Sequence, residues 1–379
     1  MMNKLKWSLS ALALLSLGIL PAKAQKESEG DESQGAVYTM SNASTGNAVL
    51  VFSRRADGAL TPAGSFVTGG LGTGGGLGNQ GAITLSRNNR WLFAVNPGSD
   101  DVSVFAVTDH GLRLVDRTPS GGRHPVSLTF HKNLLYVLNA GGGFGASDNI
   151  SGFSVSNRGK LSPLAGSIRP LSTVSTGPAE VSFSAEGDLL AVTEKATNVI
   201  DTYSVGDDGL ADGPVVHLSA GATPFGFAFD GRDRLFVSEA FGGAPNASAL
   251  SSYRFSDDED DVDLRTISAS VPTNQTAACW VLLTNDGRFA YVTDTGSNFV
   301  TGYAVRANGQ LQPLTLDGRT AATGKGPIDM ARSNDSRFVF VLNSGGHSLS
   351  AFRMERNGSL TPLKGVDGLP IGANGLAAR

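Results

Sequence analysis

Cysteine is almost absent from this sequence: Cys279 stands alone among 379 residues, so no disulfide framework holds the fold together. Metal-binding histidines are missing as well. The five histidines are scattered without a pair at ligand spacing, which leaves no transition-metal site to expect. No serine stands in a nucleophile-elbow context. Charged residues make up 17% of the chain and leave a net charge of −4, with no basic cluster of the kind that nucleic acid or an anionic membrane requires. Beyond the N-terminus no apolar run approaches the roughly 18 residues of a spanning helix. Cys279 itself lies in the apolar stretch Cys279-Trp-Val-Leu-Leu283 and reads as core packing.

Glycine, by contrast, is plentiful at 49 residues, and it punctuates a repeat. One copy runs from Asn285-Asp-Gly-Arg-Phe-Ala-Tyr-Val-Thr-Asp294 through Thr-Gly-Ser-Asn298 to Phe299-Val-Thr-Gly-Tyr-Ala-Val305 and ends at Gly309-Gln-Leu-Gln-Pro313. A tight turn feeds an apolar strand, a polar loop feeds a second strand, and another turn feeds a third. Taking the polar residue that ends the apolar strand as marker, the copies fall at Asn42, Asn96, Asn139, Glu194, Glu239, Asp294 and Asn343. Their spacings are 54, 43, 55, 45, 55 and 49, a period that belongs to propellers and solenoids. Prolines recur in the last strand of several copies, at Pro62, Pro163, Pro313 and Pro362. Proline cannot donate to a ladder, so that strand is an outer edge.

Another short strand precedes each apolar one, such as Glu180-Val-Ser-Phe183 or Ile328-Asp-Met-Ala331, and the unit therefore has four antiparallel strands, A to D from the axis outward. The first copy lacks its strand A; the final Asn374-Gly-Leu-Ala-Ala-Arg379 supplies one. The reading is an all-β, seven-bladed β-propeller over residues 35–379, closed by its C-terminal strand. Ahead of it, Lys4 and Lys6, an apolar run from Trp7 to Leu20 and Ala22-Lys-Ala24 have the form of a signal peptide over 1–24, with cleavage after Ala24 and a flexible lead-in at 25–34. Export to the periplasm or beyond, as a monomer without a membrane span, is the expectation.

Strand direction places the B–C loops and the D–A connections on one face. The long loops at 140–148 and 240–248 and the glycine-rich connection at 69–78 all belong to it, so this face is the expected functional one. The glycine-rich stretch precedes a strand, not a helix, and reads as a plain flexible connection. Strand A starts and strand B ends offer the candidates: Glu180 as general base with His124 as acid, and Glu194, Glu239, Asp329, Asn139 and Arg332 as ligand-binding residues. Asn and Asp at strand ends also serve turns, a role glutamate fills poorly, which singles out Glu194 and Glu239. The acidic run Asp257-Asp-Glu-Asp-Asp-Val-Asp263 falls on a C–D tip of the opposite face; calcium is the one cofactor such a tip would hold, and none is required.

Strand ends such as Tyr291-Val-Thr-Asp294 and Tyr136-Val-Leu-Asn139, with the turn Asp286-Gly287-Arg288, resemble the YVTN or lactonase-like seven-bladed propellers, which include 6-phosphogluconolactonases and 3-carboxymuconate cyclases. The resemblance implies a lactonase-type hydrolase whose active members begin central A strands with His and Arg and place a Glu after a strand B. The corresponding positions here, Gly177-Pro178-Ala179-Glu180, Pro224-Phe225-Gly226 and Ala240, depart from that pattern. Glu180, Glu194, Glu239, Asp294 and Asp329 outnumber Arg123, Lys195, Lys325 and Arg332 around the mouth, a balance that disfavours an anionic substrate. Two functions follow: hydrolysis of a neutral or weakly charged lactone in the channel, or non-catalytic binding of a small molecule there or of a glycan or protein on the B–C loops.

Overall fold

Strand pairing turns the repeat into seven antiparallel sheets arranged around one axis. The computed structural model describes residues 33–256 and 263–379. The leader at 1–24, the lead-in up to residue 32 and the acidic tip at 257–262 lie outside the described residues. Blade one pairs Leu60–Val67, Ala48–Arg55 and Ser33–Met40 with Asn374–Ala378, so the C-terminal strand completes the N-terminal sheet as expected. Its register sets Tyr38 against Ala377, and the amides of Ala36 and Arg379 exchange hydrogen bonds beyond the last paired residues.

Blades two to seven begin with the A strands Ile83–Leu85, Pro125–His131, Pro178–Phe183, Pro224–Phe229, Ala278–Leu283 and Pro327–Arg332. Four of the repeated prolines fall in outermost strands, where a missing N–H costs no ladder bond. In blades three and six that outer strand is split, with Leu161–Pro163 and Arg169–Pro170 sharing one partner strand and Leu311–Pro313 and Ala321–Ala322 another. Among the described residues no helix is long and apolar enough to cross a membrane.

The tyrosine of the repeat has a visible task. Tyr136 donates to Gly209 O, and Tyr291 donates to Gly358 O, each at 2.8 Å. The acceptors are C–D turns of the following blade, at glycines with φ of +79° and +84° that pack against Leu134 and Phe289. A buried aromatic ring thus joins neighbouring blades through its one polar atom. Cys279 is buried in strand A of blade six, as anticipated.

Candidate functional site

Strand B lies second from the axis, so its end sits behind strand A instead of facing the channel. Asn139, Glu194 and Glu239 are accordingly fully buried. Asn139 Nδ2 donates to Asn149 Oδ1 at 3.0 Å, Ser151 Oγ at 3.2 Å and Ser120 O at 3.3 Å. Glu194 accepts from Ser172 N at 3.0 Å and from the hydroxyls of Ser172 and Thr197 at 2.5 Å. Glu239 accepts from Gly221 N at 2.8 Å, Ser251 Oγ at 2.5 Å and Ser270 Oγ at 2.6 Å. Each ties the connection entering its blade to the blade itself. Glutamate does here what the shorter side chains do elsewhere, contrary to the expectation that singled out these two. Burial raises the carboxyls of Asp201, beside Glu194, and of Asp294 to about 8.

The axis belongs to strand A. Glu180 and Asp329, from blades four and seven, are 6% and 3% exposed. Glu180 Oε2 accepts from Phe227 N at 2.6 Å, and Asp329 Oδ1 accepts from Met330 N at 2.8 Å. Burial drives both carboxyls well above the usual range; for Glu180 the Phe227 N–H opposes the shift and the charge of Asp329 adds to it. The backbone N–H groups of Met330 and Leu376 oppose it at Asp329. The charge of Asp329, when ionised, thus makes ionisation of Glu180 harder still.

At their own depth the channel is filled by the chain itself. Gly78-Asn79-Gln80, the end of the glycine-rich connection, enters the axis and bonds to several blades. Gln80 N donates to Ala179 O at 3.0 Å, its Nε2 to Val281 O at 3.0 Å, and its Oε1 accepts from Val281 N at 2.9 Å. Asn79 Nδ2 donates to Val126 O, and Asn79 O accepts from Trp280 Nε1 at 2.5 Å. The connection read from sequence as plain and flexible therefore ends in a plug, because its backbone and amide side chains answer strand A polar groups that face the axis. Gly226 makes room: a Cβ there would overlap Gln80 Oε1 and lie 2.6 Å from Cys279 O.

Lys195 closes the same mouth. Its Nζ donates to Gly78 O and, at 3.1 Å, to Pro178 O, and it lies 4.8 Å from the centre of the Phe225 ring. Burial lowers its ammonium to about 8. In the sequence it reads only as a charge; its position directly after the end of strand B, Leu189–Glu194, was the available signal. His124 sits on the rim, stacked on Phe144 with ring centres 4.1 Å apart, and makes no hydrogen bond or ring contact with Glu180. Burial lowers its imidazolium pKa, with Asp100 opposing. Arg332 ends strand A of blade seven and therefore lies at the opposite mouth, not with the other candidates.

A family model described as lactonase, 7-bladed beta-propeller, matches residues 31–175 and 248–370. The unmatched stretch holds Glu180, Glu194, Lys195, Phe225 and Glu239. Among solved structures, a candidate 6-phosphogluconolactonase of Bacteroides fragilis is 18% identical with a TM-score of 0.69, over 93% of this chain and 100% of that one. The periplasmic gluconolactonase PpgL of Pseudomonas aeruginosa is 19% identical with a TM-score of 0.67, over 89% and 98%. A hypothetical selenium-binding protein of Sulfolobus tokodaii, 10% identical with a TM-score of 0.64 over 92% and 94%, has the same architecture. At such identities these likenesses are of fold. No curated protein matches the sequence. With a model covering most of its blades, the chain belongs to the lactonase family of seven-bladed β-propellers.

Proposed function

We propose that this propeller is exported and hydrolyses a neutral or weakly charged lactone within its channel. The observation that carries the reading is the pair Glu180 and Asp329, two buried carboxyls on facing blades with raised proton affinity. One of them ionised and one protonated supply a base and an acid at the same depth. Glu180, as carboxylate, takes a proton from water as its oxygen attacks the lactone carbonyl; protonated Asp329 donates a hydrogen bond to the carbonyl oxygen. Collapse breaks the bond to the ring oxygen, which receives the proton from Glu180, and a hydroxy acid leaves. His124, on the rim beside Phe144, takes no part in this scheme. With Gln80 across the upper mouth, water and substrate approach from the opposite one, whose cavity extends to Leu376, the residue whose N–H reaches Asp329.

The same plug favours a second reading, a non-catalytic binding propeller whose B–C loops carry a glycan or protein partner. Turnover of neutral and anionic lactones by the purified protein separates the two. Ring opening above background that is lost in Glu180→Gln, with the melting temperature retained, supports hydrolysis. Turnover that survives Glu180→Gln removes Glu180 from the mechanism, and a folded protein inert on every lactone leaves the binding reading.

A further inference from the structure

The lower end of the channel is a cavity of about 600 Å³ between blades six, seven, one and two, and among the described residues no acidic side chain lines it. Arg332 and Arg87 do, with Asn89, Asn285 and Asn334. The position of Arg332 departs from the repeat. Strand pairing sets it four residues before the end of strand B, where the equivalent residues of blades two to six are Leu85, Phe130, Phe183, Phe229 and Leu283. Five blades place an apolar side chain there to close the blade base, and the seventh places a guanidinium.

That guanidinium is only partly used. Among the described residues, Nε alone of its five N–H donors has a partner, Leu283 O at 2.8 Å, and no carboxylate pairs with it. Burial lowers its proton affinity with nothing opposing. Arg87, exposed at the rim, makes no hydrogen bond or ion pair among the described residues, and the amide side chains of Asn89 and Asn334 are likewise unengaged. The acids of the neighbouring turns are committed elsewhere: Asp286 to Thr284 and Arg288, Asp335 to Ser333 and Arg337. In the adjoining cavity, which shares Asn89 and Asn334, Arg379 takes the corresponding place of blade one.

A half-buried cation with spare planar donors, at the mouth of a polar cavity without acids, is incomplete without an anion. We infer that the lower mouth is a binding site for a small organic oxyanion, carboxylate or phosphate, held by Arg332 from within and Arg87 from the rim, with the Asn89 and Asn334 amides beside them. The inference is independent of hydrolysis in the channel, because binding is read without turnover.

The test is calorimetric titration of the purified protein with inorganic phosphate and, separately, with gluconate, at constant ionic strength. Saturable binding of at least one is expected; phosphate alone, gluconate alone or both identify the head group. Arg332→Leu, which restores the residue of the repeat, weakens binding about tenfold or more, as loss of a charge-assisted contact does, while the melting temperature stays level or rises. Arg87→Ala weakens it about two- to fivefold and serves as the second variant should Arg332→Leu not fold. No saturable heat with either anion, unchanged affinity in both variants, or a large drop in melting temperature in Arg332→Leu with affinity retained overturns the site and leaves Arg332 a structural residue.

Discussion

The two mouths of the channel are built from the two ends of the same strands, yet they have opposite chemistry. At the upper mouth, D–A connections and strand B ends converge, and their polar atoms are spent on one another. Gln80 and Asn79 fill the axis, Lys195 caps them, and buried carboxyls stand behind. The lower mouth is framed by A–B turns that close on themselves, leaving space and arginines without a carboxylate partner among the described residues. In a propeller the end with more loop is thus not automatically the open one. Loops long enough to reach the axis satisfy its backbone groups and close it, whereas tight hairpins cannot reach across.

Three perturbations sharpen that contrast. Removing residues 374–379 strips Leu376, Ala377 and Ala378 from the lower mouth and uncovers the inner edge of blade one. The loss should approach the whole folding free energy, about 5–15 kcal/mol, because an open ring exposes two blade faces. A melting temperature equal to that of the intact chain would end the closure argument. Gly226→Ala attacks the upper mouth instead. Its methyl group displaces Gln80, strands the N–H and C=O of Val281, and should cost about 1–3 kcal/mol by overpacking and lost bonding. Cys279, whose thiol burial holds up at about 12, should then react with a thiol reagent that leaves the parent untouched; continued protection would mean that the plug stays in place.

The smallest effect is one of pH. Asp201 and Asp294, both on the upper side, have carboxyls raised to about 8, so between the ordinary carboxylate range and that value the folded state binds more protons than the unfolded. Stability is therefore greatest below this window and declines as pH rises through it, by about 1 kcal/mol or more per group. Asp294→Asn, which mimics the protonated acid, should flatten part of the decline in melting temperature between pH 5 and 8; an identical slope in the variant would assign the dependence to other groups.

The blades were legible because their signals are local. Alternating apolar strands, Asp-Gly turns and a recurrent edge proline each act within a few residues, and seven copies average out the exceptions. The site was less so. Glu180 and Asp329 were placed on the axis from strand order alone, because strand A has no neighbour on its inner side. Glu194 and Glu239 were assigned to the mouth from the same count, but a strand B end is screened by strand A and by the connection it anchors. Arg332 was put with the upper candidates although it closes its strand, and strand direction carries it to the far end. His124 follows a D strand closely enough to reach the face, yet its ring finds Phe144 before it finds the channel.

By itself the sequence determined the number of blades, their strand order and the closure of the ring by Asn374–Ala378, since all of these depend on periodicity and on hydrogen bonds within a sheet. Only the tertiary structure decided which mouth is open. That depends on whether a glycine-rich connection of one blade reaches strand A groups on blades half a ring away, as Gln80 does 201 residues from Val281, and no pattern within a repeat encodes a contact between copies so far apart.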